Sequence, residues 1–328
     1  MIKLSICIPT YNRAEYLKET LRSIVDQIEP EFSQTVEVCI SDNASTDNTE
    51  SVIALMQKVS PIPIVYIRNE KNEGADRNYM KVVSLAQGEY CWFMGSDDML
   101  APGALKTILG RLHSRQSIYL CNRVECDLNM VPQAKRWWLK KSSNSQVFCL
   151  NDRNDLLRYL DSALSIGALF SYLSSIVFVR SEWNTWPLSE KYIGTAYSHV
   201  YCLLSFVKKP NTLEYIDDAL VLCRGQNDSF ASDGMVKRIM LDIEGYTLLS
   251  SDFFSDDLQL RRKFLSVLHK ERNALQTLIF LRVRSDDHHW SLLKKSLLDA
   301  NYSALMLNVI GQSKSLLIFV KKALSLFR

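Results

Sequence analysis

The first hundred residues alternate between short apolar runs and amphipathic stretches, and this alternation limits the fold more than any other feature. Apolar runs rich in β-forming residues cover residues 4–8, 36–41, 64–68 and 90–94. Between them, residues 14–27, 48–59 and 78–86 carry apolar side chains at helical spacing. Strands that alternate with helices in this order predict an α/β fold with a mostly parallel, doubly wound sheet.

Polar residues follow the end of each predicted strand. Thr10 and Asp42 follow the first two strands, Asn72 follows the third, and Asp97 follows the fourth. In a parallel sheet the carboxyl ends of the strands meet at one edge, and ligands bind in the crevice outside it. The sequence therefore predicts one binding site built from these four clusters.

The chain beyond residue 112 is less regular. Three later segments have strand character: residues 118–124, 174–180 and 211–224. The basic stretch 130–147, which contains Trp137 and Trp138, is predicted to be a loop that binds acceptor sugar or a lipid headgroup, or is simply exposed. We predict a domain over 1–230, with a donor-binding half at 1–112 and an acceptor-binding half at 113–230. A helical region follows at 231–328.

Charge is unevenly distributed along the chain. The net charge is +3, but residues 261–328 hold 13 Lys/Arg and 4 Asp/Glu, a net of +9. The remaining 26 basic and 32 acidic residues give a net of −6. In residues 291–328, lysines alternate with apolar residues at helical spacing. This pattern suits an anionic membrane surface, and it equally suits a packed helical hairpin with solvated lysines.

Several protein classes are excluded. The eight cysteines lack zinc-ligand spacing, so they are expected to be reduced and mostly buried. No stretch reaches the roughly 18 apolar residues of a membrane-spanning helix, and the apolar start is too short for a secretory signal. No recognition helix, zinc knuckle or aromatic RNA platform appears, so we do not expect nucleic-acid binding. We expect a cytoplasmic protein.

The adjacent carboxylates Asp97 and Asp98 suit a hard divalent cation that also holds a diphosphate. Taken alone, such a pair is more often the N-cap of a helix, here one over 102–112. Asp42 could accept hydrogen bonds from a base or a ribose, or could hold its own loop in an Asx-turn. Arg77 lies before a predicted helix, where a positive side chain could meet phosphate charge.

Four segments together resemble the donor domain of family-2 glycosyltransferases. They read LSICIPTYNRAEYLKETLRSIVDQ, VEVCISDNASTDNTE, NEKNEGADRNYMKVV and AQGEYCWFMGSDDMLAPGAL, in unbroken order over the first third of the chain. The resemblance implies the GT-A fold and transfer of a sugar from a nucleotide-diphosphate donor with Mg²⁺ or Mn²⁺. A catalytically inert nucleotide- or sugar-binding module of the same fold is the alternative.

The matching positions imply specific roles. Asp97 matches the last carboxylate of the family's metal-binding D-x-D motif, Asp98 follows it as a second metal ligand, and Gly95 replaces the first carboxylate. Asp42 would contact the nucleobase or ribose. The other residues expected to bind the donor are Pro9, Thr10, Tyr11, Arg13, Arg77 and Ser96.

Two further catalytic roles are implied by position. His199 stands where the family carries the carboxylate base of a Glu-Asp pair, and a histidine could accept the acceptor's proton. It could instead be a packed core histidine. Arg224 matches an arginine that precedes a loop closing over the diphosphate, to which Gln226, Asn227 and Ser229 would belong. Arg224 could instead pair with Asp217 or Asp218 at a strand end.

Within the family, GADRNYMKVVSLAQGEYCWFMGSDD most resembles bacterial O-antigen enzymes of the abequosyltransferase type. Those enzymes transfer a dideoxyhexose from a cytidine-diphosphate donor to a lipid-linked oligosaccharide. The resemblance therefore implies CDP-abequose or a related donor, a lipid-linked acceptor in surface polysaccharide synthesis, and a peripheral position at the cytoplasmic face of the inner membrane.

Overall fold

Ten strands form one mixed sheet in a computed structural model that describes residues 1–141, 146–227, 234–312 and 314. The strands are β1 (Leu4–Thr10), β2 (Val36–Asp42), β3 (Ile64–Arg68), β4 (Tyr90–Phe93), β5 (Met99–Leu100), β6 (Ile118–Cys126), β7 (Pro132–Arg136), β8 (Val147–Cys149), β9 (Ile176–Val179) and β10 (Thr212–Arg224).

The first half of the sheet is parallel, in the order β3-β2-β1-β4. Strand β9 then pairs antiparallel with both β4 and β6, and β10 pairs parallel with β6. The strands β1, β2 and β4 are buried along almost their whole length, which explains their continuous apolar sequences. The predicted parallel α/β sheet is therefore confirmed, with an antiparallel strand inserted at its centre.

The described segments between the strands contain seven α-helices: α1 (Ala14–Val25), α2 (Thr49–Val59), α3 (Ala75–Ser84), α4 (Ala104–Arg111), α5 (Arg153–Ser162), α6 (Arg180–Trp183) and α7 (Ser198–Leu204). The apolar faces of α1 and α4 contribute Leu17, Leu21, Leu105 and Ile108 to the core on the sheet. Short apolar side chains at helical spacing thus place both helices against the strands.

One segment differs from prediction. Strand β7 lies within the stretch 130–147 that was expected to be a loop. All five of its residues are exposed, and it pairs with β6 through the backbone and through the ion pair of Arg136 with Glu125. An edge strand without a buried face has no apolar alternation, so its sequence carries no strand pattern.

The contact pattern divides the chain into two units, one of residues 1–163 and 167–227 and one of residues 164–166 and 228–328. The described part of the second unit consists mainly of helices α8 (Met235–Phe254), α9 (Leu258–Glu271), α10 (Ala274–Arg284), α11 (Asp287–Asp299) and α12 (Ala304–Gln312). Its buried Asp242 is paired with Arg238 and with Arg272 Nη1 at 2.7 Å.

Most of the basic tail segment 313–328 lies outside the described residues, as does Ser229 of the predicted closing loop. Among the described helices, none has the length and apolar character needed to cross a bilayer.

Candidate functional site

The ends of β1 and β2 meet at one edge of the sheet. Thr10 and Asp42 are direct neighbours in the strand register. The backbone N–H of Asn43 donates to the carbonyl oxygen of Thr10 at 2.9 Å, and that of Asn69 donates to the carbonyl of Asp42 at 2.8 Å. The topology therefore brings the predicted polar clusters of these strand ends together.

Asp97 lies in the turn after β4 and is partly buried. Its carboxylate is ion-paired with the guanidinium of Arg13 and accepts a hydrogen bond from Asn227 Nδ2 at 2.8 Å. Arg13 Nη2 also donates to the carbonyl of Asn227 at 3.2 Å. Three segments far apart in sequence thus converge on one carboxylate, and its present counter-charge is Arg13.

Arg224, at the end of β10, is hydrogen-bonded to the backbone of the turn that contains Asp97. Its Nε donates to the backbone carbonyl of Asp97 at 3.0 Å, and its Nη1 donates to the carbonyl of Leu128 at 2.6 Å. Its Nη2 is paired with Glu19, and its guanidinium lies 4.6 Å from the centre of the Tyr16 ring. Because this buried side chain already uses its donors within the protein, it positions the backbone of Asp97.

Asp98 points into the protein and not towards the Arg13 side of the turn. Its Oδ2 accepts hydrogen bonds from Ser174 Oγ at 2.5 Å and from the Tyr172 hydroxyl at 2.7 Å. Its Oδ1 accepts from the backbone N–H of Arg224 at 3.2 Å. Burial, and next the negative charge of Asp97, raise the pKa of Asp98 to about 6. These contacts give Asp98 the role of an internal anchor and leave its oxygens poorly placed as metal ligands.

Gly95 replaces the first carboxylate of the D-x-D motif, and its surroundings leave no room for a side chain. A Cβ atom at this position would lie 2.8 Å from Asp98 Oδ2, 3.2 Å from Asp97 Oδ1 and 3.3 Å from Ser174 Oγ. The Ser174 hydroxyl also accepts the backbone N–H of Gly95 at 2.8 Å. The space that a first carboxylate needs is thus occupied by the Asp98 anchor.

Asp42 is fully buried at the end of β2. Its Oδ1 accepts the backbone N–H of Ser45 at 2.9 Å, and its Oδ2 accepts the Tyr66 hydroxyl at 3.0 Å. Arg68 Nε lies 4.0 Å from the same Oδ2. The carboxylate therefore holds its own loop, and since each oxygen has two lone pairs it keeps capacity for a further donor.

Other residues predicted to bind the donor differ in their environments. Thr10 is buried, and its hydroxyl has no hydrogen-bond partner among the described residues. Tyr11 is exposed, whereas Ser96 is buried. Pro9 lies next to Ser41 in the register of β1 and β2. Arg77 forms an exposed ion pair with Glu190 at 2.6 Å, and such surface pairs contribute little to stability.

His199 is buried in α7, against the ring of Tyr79 at 5.3 Å between centroids and that of Phe93 at 6.4 Å. Its Nε2 lies 3.0 Å from the carbonyl oxygen of Phe170, and its Nδ1 has no partner within the described ranges. Burial lowers the pKa of His199 to about 4, against an opposing effect of Asp76. A buried ring of such low basicity does not suit a base that must reach a bound acceptor.

The neighbouring tryptophans Trp137 and Trp138 differ in burial. Trp138 is buried and its Nε1 donates to the Cys121 carbonyl at 2.7 Å, so its predicted contact with acceptor or lipid is wrong. Trp137 is exposed.

The site also contains residues that sequence reasoning did not assign. Glu19, Tyr172 and Ser174 hold Arg224 and Asp98. Glu19 lies on a predicted helix and Ser174 at the start of a predicted strand, and neither pattern indicates a role in the site. No spacing along the chain links Glu19 to Arg224, since 205 residues separate them. In the described part of the chain, no three His, Cys, Asp or Glu side chains form a metal-binding group.

The chain matches the model of glycosyl transferase family 2 over residues 5–179. It is 45% identical over 277 residues to the abequosyltransferase RfbV of Salmonella typhimurium, covering 84% of this chain and 82% of that protein. It is 33% identical over 109 residues to the GalNAc(5)-diNAcBac-PP-undecaprenol beta-1,3-glucosyltransferase of Campylobacter jejuni, covering 33% of this chain and 34% of that one.

Solved structures show the same fold. The crystal structure of S. aureus TarS residues 1–349 in complex with UDP matches with a TM-score of 0.63 at 16% identity, over 98% of this chain and 87% of that one. At this identity the likeness concerns the fold alone. The GT-A fold predicted from the resemblance is thereby confirmed.

Proposed function

Because the chain belongs to glycosyl transferase family 2, and is thus a glycosyltransferase, we propose that it transfers abequose or a related dideoxyhexose from a CDP-linked donor. The acceptor in this proposal is a lipid-linked oligosaccharide of O-antigen synthesis, at the cytoplasmic face of the inner membrane. The observation that carries the proposal is the 45% identity to the abequosyltransferase RfbV, which extends over most of both chains.

Nucleotide recognition is proposed for the edge formed by β1 and β2. The Asp42 carboxylate can accept a further hydrogen bond, and the amino group of cytosine is a donor of the right kind. Tyr66 and Ser45 fix the carboxylate in place, which reduces the entropy lost when the base binds. Pro9, Thr10, Tyr11 and Ser96 are proposed to complete the walls of this pocket, and Arg77 to lie at its outer edge.

The described residues fit a divalent cation through Asp97 alone. Mg²⁺ is commonly held by one or two carboxylates together with substrate phosphates and water. Asp97 offers one partly buried carboxylate, whereas Asp98 is engaged by three protein donors. We therefore propose Asp97 as the protein ligand of Mg²⁺ or Mn²⁺ and keep Asp98 as the anchor of the turn. When bound, the cation would neutralise charge on the leaving diphosphate.

Arg13 is proposed to change partners when the donor binds. Its guanidinium now neutralises Asp97, and a cation at Asp97 would take over that role. Arg13 would then be available to the donor's phosphates, for which an arginine is well suited. Arg224 keeps the Asp97 backbone in place throughout, since its donors are bound to Asp97, Leu128 and Glu19.

For His199 we propose a positioning role. Its ring fills an aromatic pocket and binds the Phe170 carbonyl, and it thereby fixes α7 relative to the segment that carries Tyr172 and Ser174. We therefore propose that a group other than His199 accepts the proton of the acceptor's hydroxyl.

The experiment that tests the proposed function is a transfer assay with purified protein, Mn²⁺ and a lipid-linked oligosaccharide acceptor. Radiolabelled CDP-abequose is compared with UDP- and GDP-linked hexoses, and Asp97→Asn is the inactive control. The proposal expects labelled lipid from the CDP donor and none from the variant. Transfer only from a UDP or GDP donor would overturn the dideoxyhexose assignment, and no transfer from any donor would overturn the activity.

A further inference from the structure

The hairpin formed by β6 and β7 lies beside the Asp97 turn, and the donor site gives it no role. We define the hairpin surface as Leu128 and Val131 at its tip, Lys135 on β7, and Trp137, Lys140 and Lys141 after it. All six are exposed. The strand β7 pairs with β6 on one side, so the surface belongs to an edge of the sheet.

Two contacts connect the tip of this hairpin to the segments around Asp97 and Arg224. The carbonyl of Leu128 accepts Arg224 Nη1 at 2.6 Å, and the same guanidinium binds the Asp97 carbonyl through Nε at 3.0 Å. The carbonyl of Cys126, at the end of β6, accepts the backbone N–H of Gly225 at 3.0 Å. A single side chain therefore separates the tip from Asp97.

The charge of the hairpin is mainly positive from its tip onwards. Residues 127–141 contain four Lys/Arg and one acidic residue, Asp127, whose Oδ1 accepts the backbone N–H groups of Asn129 and Val131 within the turn. Arg136 is paired with Glu125 at 2.8 Å, so the excess positive charge comes from Lys135, Lys140 and Lys141.

Large apolar side chains stand among these lysines. Trp137 is 46% exposed, Val131 53% and Leu128 40%, whereas the adjacent Trp138 is only 4% exposed. Trp138 is thus a core residue, whereas no contact within the described part of the chain explains why Trp137 is exposed to water. Tryptophan with lysine is the combination found where proteins meet the headgroup region of a bilayer.

We propose that the hairpin surface docks the enzyme on an anionic lipid bilayer and so holds the Asp97 site at the membrane surface. The lysines are attracted to acidic headgroups, and Trp137, Val131 and Leu128 enter the interface. A nucleic acid would also attract the lysines and could stack a base on Trp137, but it would leave the aliphatic side chains of Val131 and Leu128 in water. This inference rests on the proposed function in one respect, since a lipid-linked acceptor gives the site a reason to face the bilayer.

The test is flotation of the full-length protein with phosphatidylcholine vesicles, prepared with and without phosphatidylglycerol. The inference expects binding only to the anionic vesicles. For Lys135→Gln/Lys140→Gln it expects roughly 30-fold weaker binding, since each basic residue near the surface contributes a factor of about five. Trp137→Ser should weaken binding independently. The matched control is Leu55→Ser/Lys58→Gln on α2, which removes an exposed apolar and a basic residue far from the hairpin in sequence.

Unchanged vesicle binding by both hairpin variants would overturn the inference, because another part of the chain would then be responsible. Absence of binding by the wild type would also overturn it, as would equal binding to neutral vesicles. If the hairpin variants lost binding to a DNA oligonucleotide but kept binding to vesicles, the partner of the hairpin surface would be a nucleic acid and the inference would be overturned. Titration with CDP and Mn²⁺ measures donor binding, and the transfer assay measures activity, so both are run beside the vesicle assay. A protein that transfers sugar without binding vesicles refutes the docking alone. A protein that binds vesicles without transferring sugar refutes the proposed activity alone.

Discussion

Restoring the missing carboxylate of the D-x-D motif should damage the protein. The substitution Gly95→Asp would return the first acidic residue that the family carries, and an added carboxylate would by itself favour a divalent cation. In the structure, a Cβ at this position lies 2.8 Å from Asp98 Oδ2, which is closer than real Cβ contacts allow. Asp98 cannot move away without losing Tyr172 and Ser174.

The loss of unfolding free energy has two causes, steric conflict and charge repulsion, and a series of variants separates them. Gly95→Ala adds only the steric conflict, for which overpacking costs about 1–3 kcal/mol of unfolding free energy. Gly95→Asn adds shape without charge, and Gly95→Asp adds a third carboxylate beside Asp97 and Asp98. Two like charges about 4 Å apart at an effective dielectric constant near 20 repel by about 4 kcal/mol. We therefore expect stability to fall from wild type to Ala, then Asn, then Asp.

The assay is urea unfolding at neutral pH, followed by titration with Mn²⁺. Gly110 provides the matched control because it lies in α4 with no heavy atom within 4 Å of an added Cβ. Gly110→Ala should raise the stability by about 0.5–1 kcal/mol, as expected for a helical glycine. If Gly95→Asp were as stable as wild type and bound Mn²⁺ more tightly, the reasoning about the Asp98 anchor would be refuted.

Two further predictions concern Arg224 and His199. Arg224→Lys should lower the unfolding free energy by about 2–4 kcal/mol, since lysine cannot reach Asp97, Leu128 and Glu19 together. It should also reduce kcat more than it raises KM for the donor. An unchanged kcat would exclude the positioning role. His199 has a pKa lowered to about 4, so the unfolded chain takes up a proton first as the pH falls below 6.5. Wild type should therefore lose up to roughly 3 kcal/mol of stability between those two pH values, and His199→Gln should lose less when urea midpoints are compared across pH; parallel curves for the two proteins would contradict the buried neutral imidazole.

Local patterns were sufficient to predict the parallel half of the sheet. Strands β1, β2 and β4 are buried on both faces, and the helices between the first four strands have one apolar face, so the order of elements follows from hydrophobic spacing. The edge at which Thr10 and Asp42 meet follows from that order alone, because parallel strands end on the same side.

The contacts that define the site could not be predicted in this way. Arg13, Asp97 and Asn227 come from three distant segments, and only the folded sheet brings them together. Trp137 and Trp138 have the same chemistry and adjacent positions just after β7, and only the folded chain distinguishes them: Trp138 is buried, with its Nε1 bonded to the Cys121 carbonyl, and Trp137 is exposed. Asp98 has the sequence signature of a ligand, but its partners Tyr172 and Ser174 lie more than 70 residues away, and no local pattern links them to it.

The central claim, a nucleotide-diphosphate site that depends on metal at Asp97, is tested most directly by calorimetric titration of CDP with and without Mn²⁺. The titration compares wild type with Asp97→Asn, after circular dichroism has shown that the variant is folded. We predict that CDP binds wild type only when Mn²⁺ is present and that the variant loses this metal-dependent binding. Equal CDP binding by the two proteins, independent of Mn²⁺, would contradict the assignment of Asp97 and with it the proposed donor site.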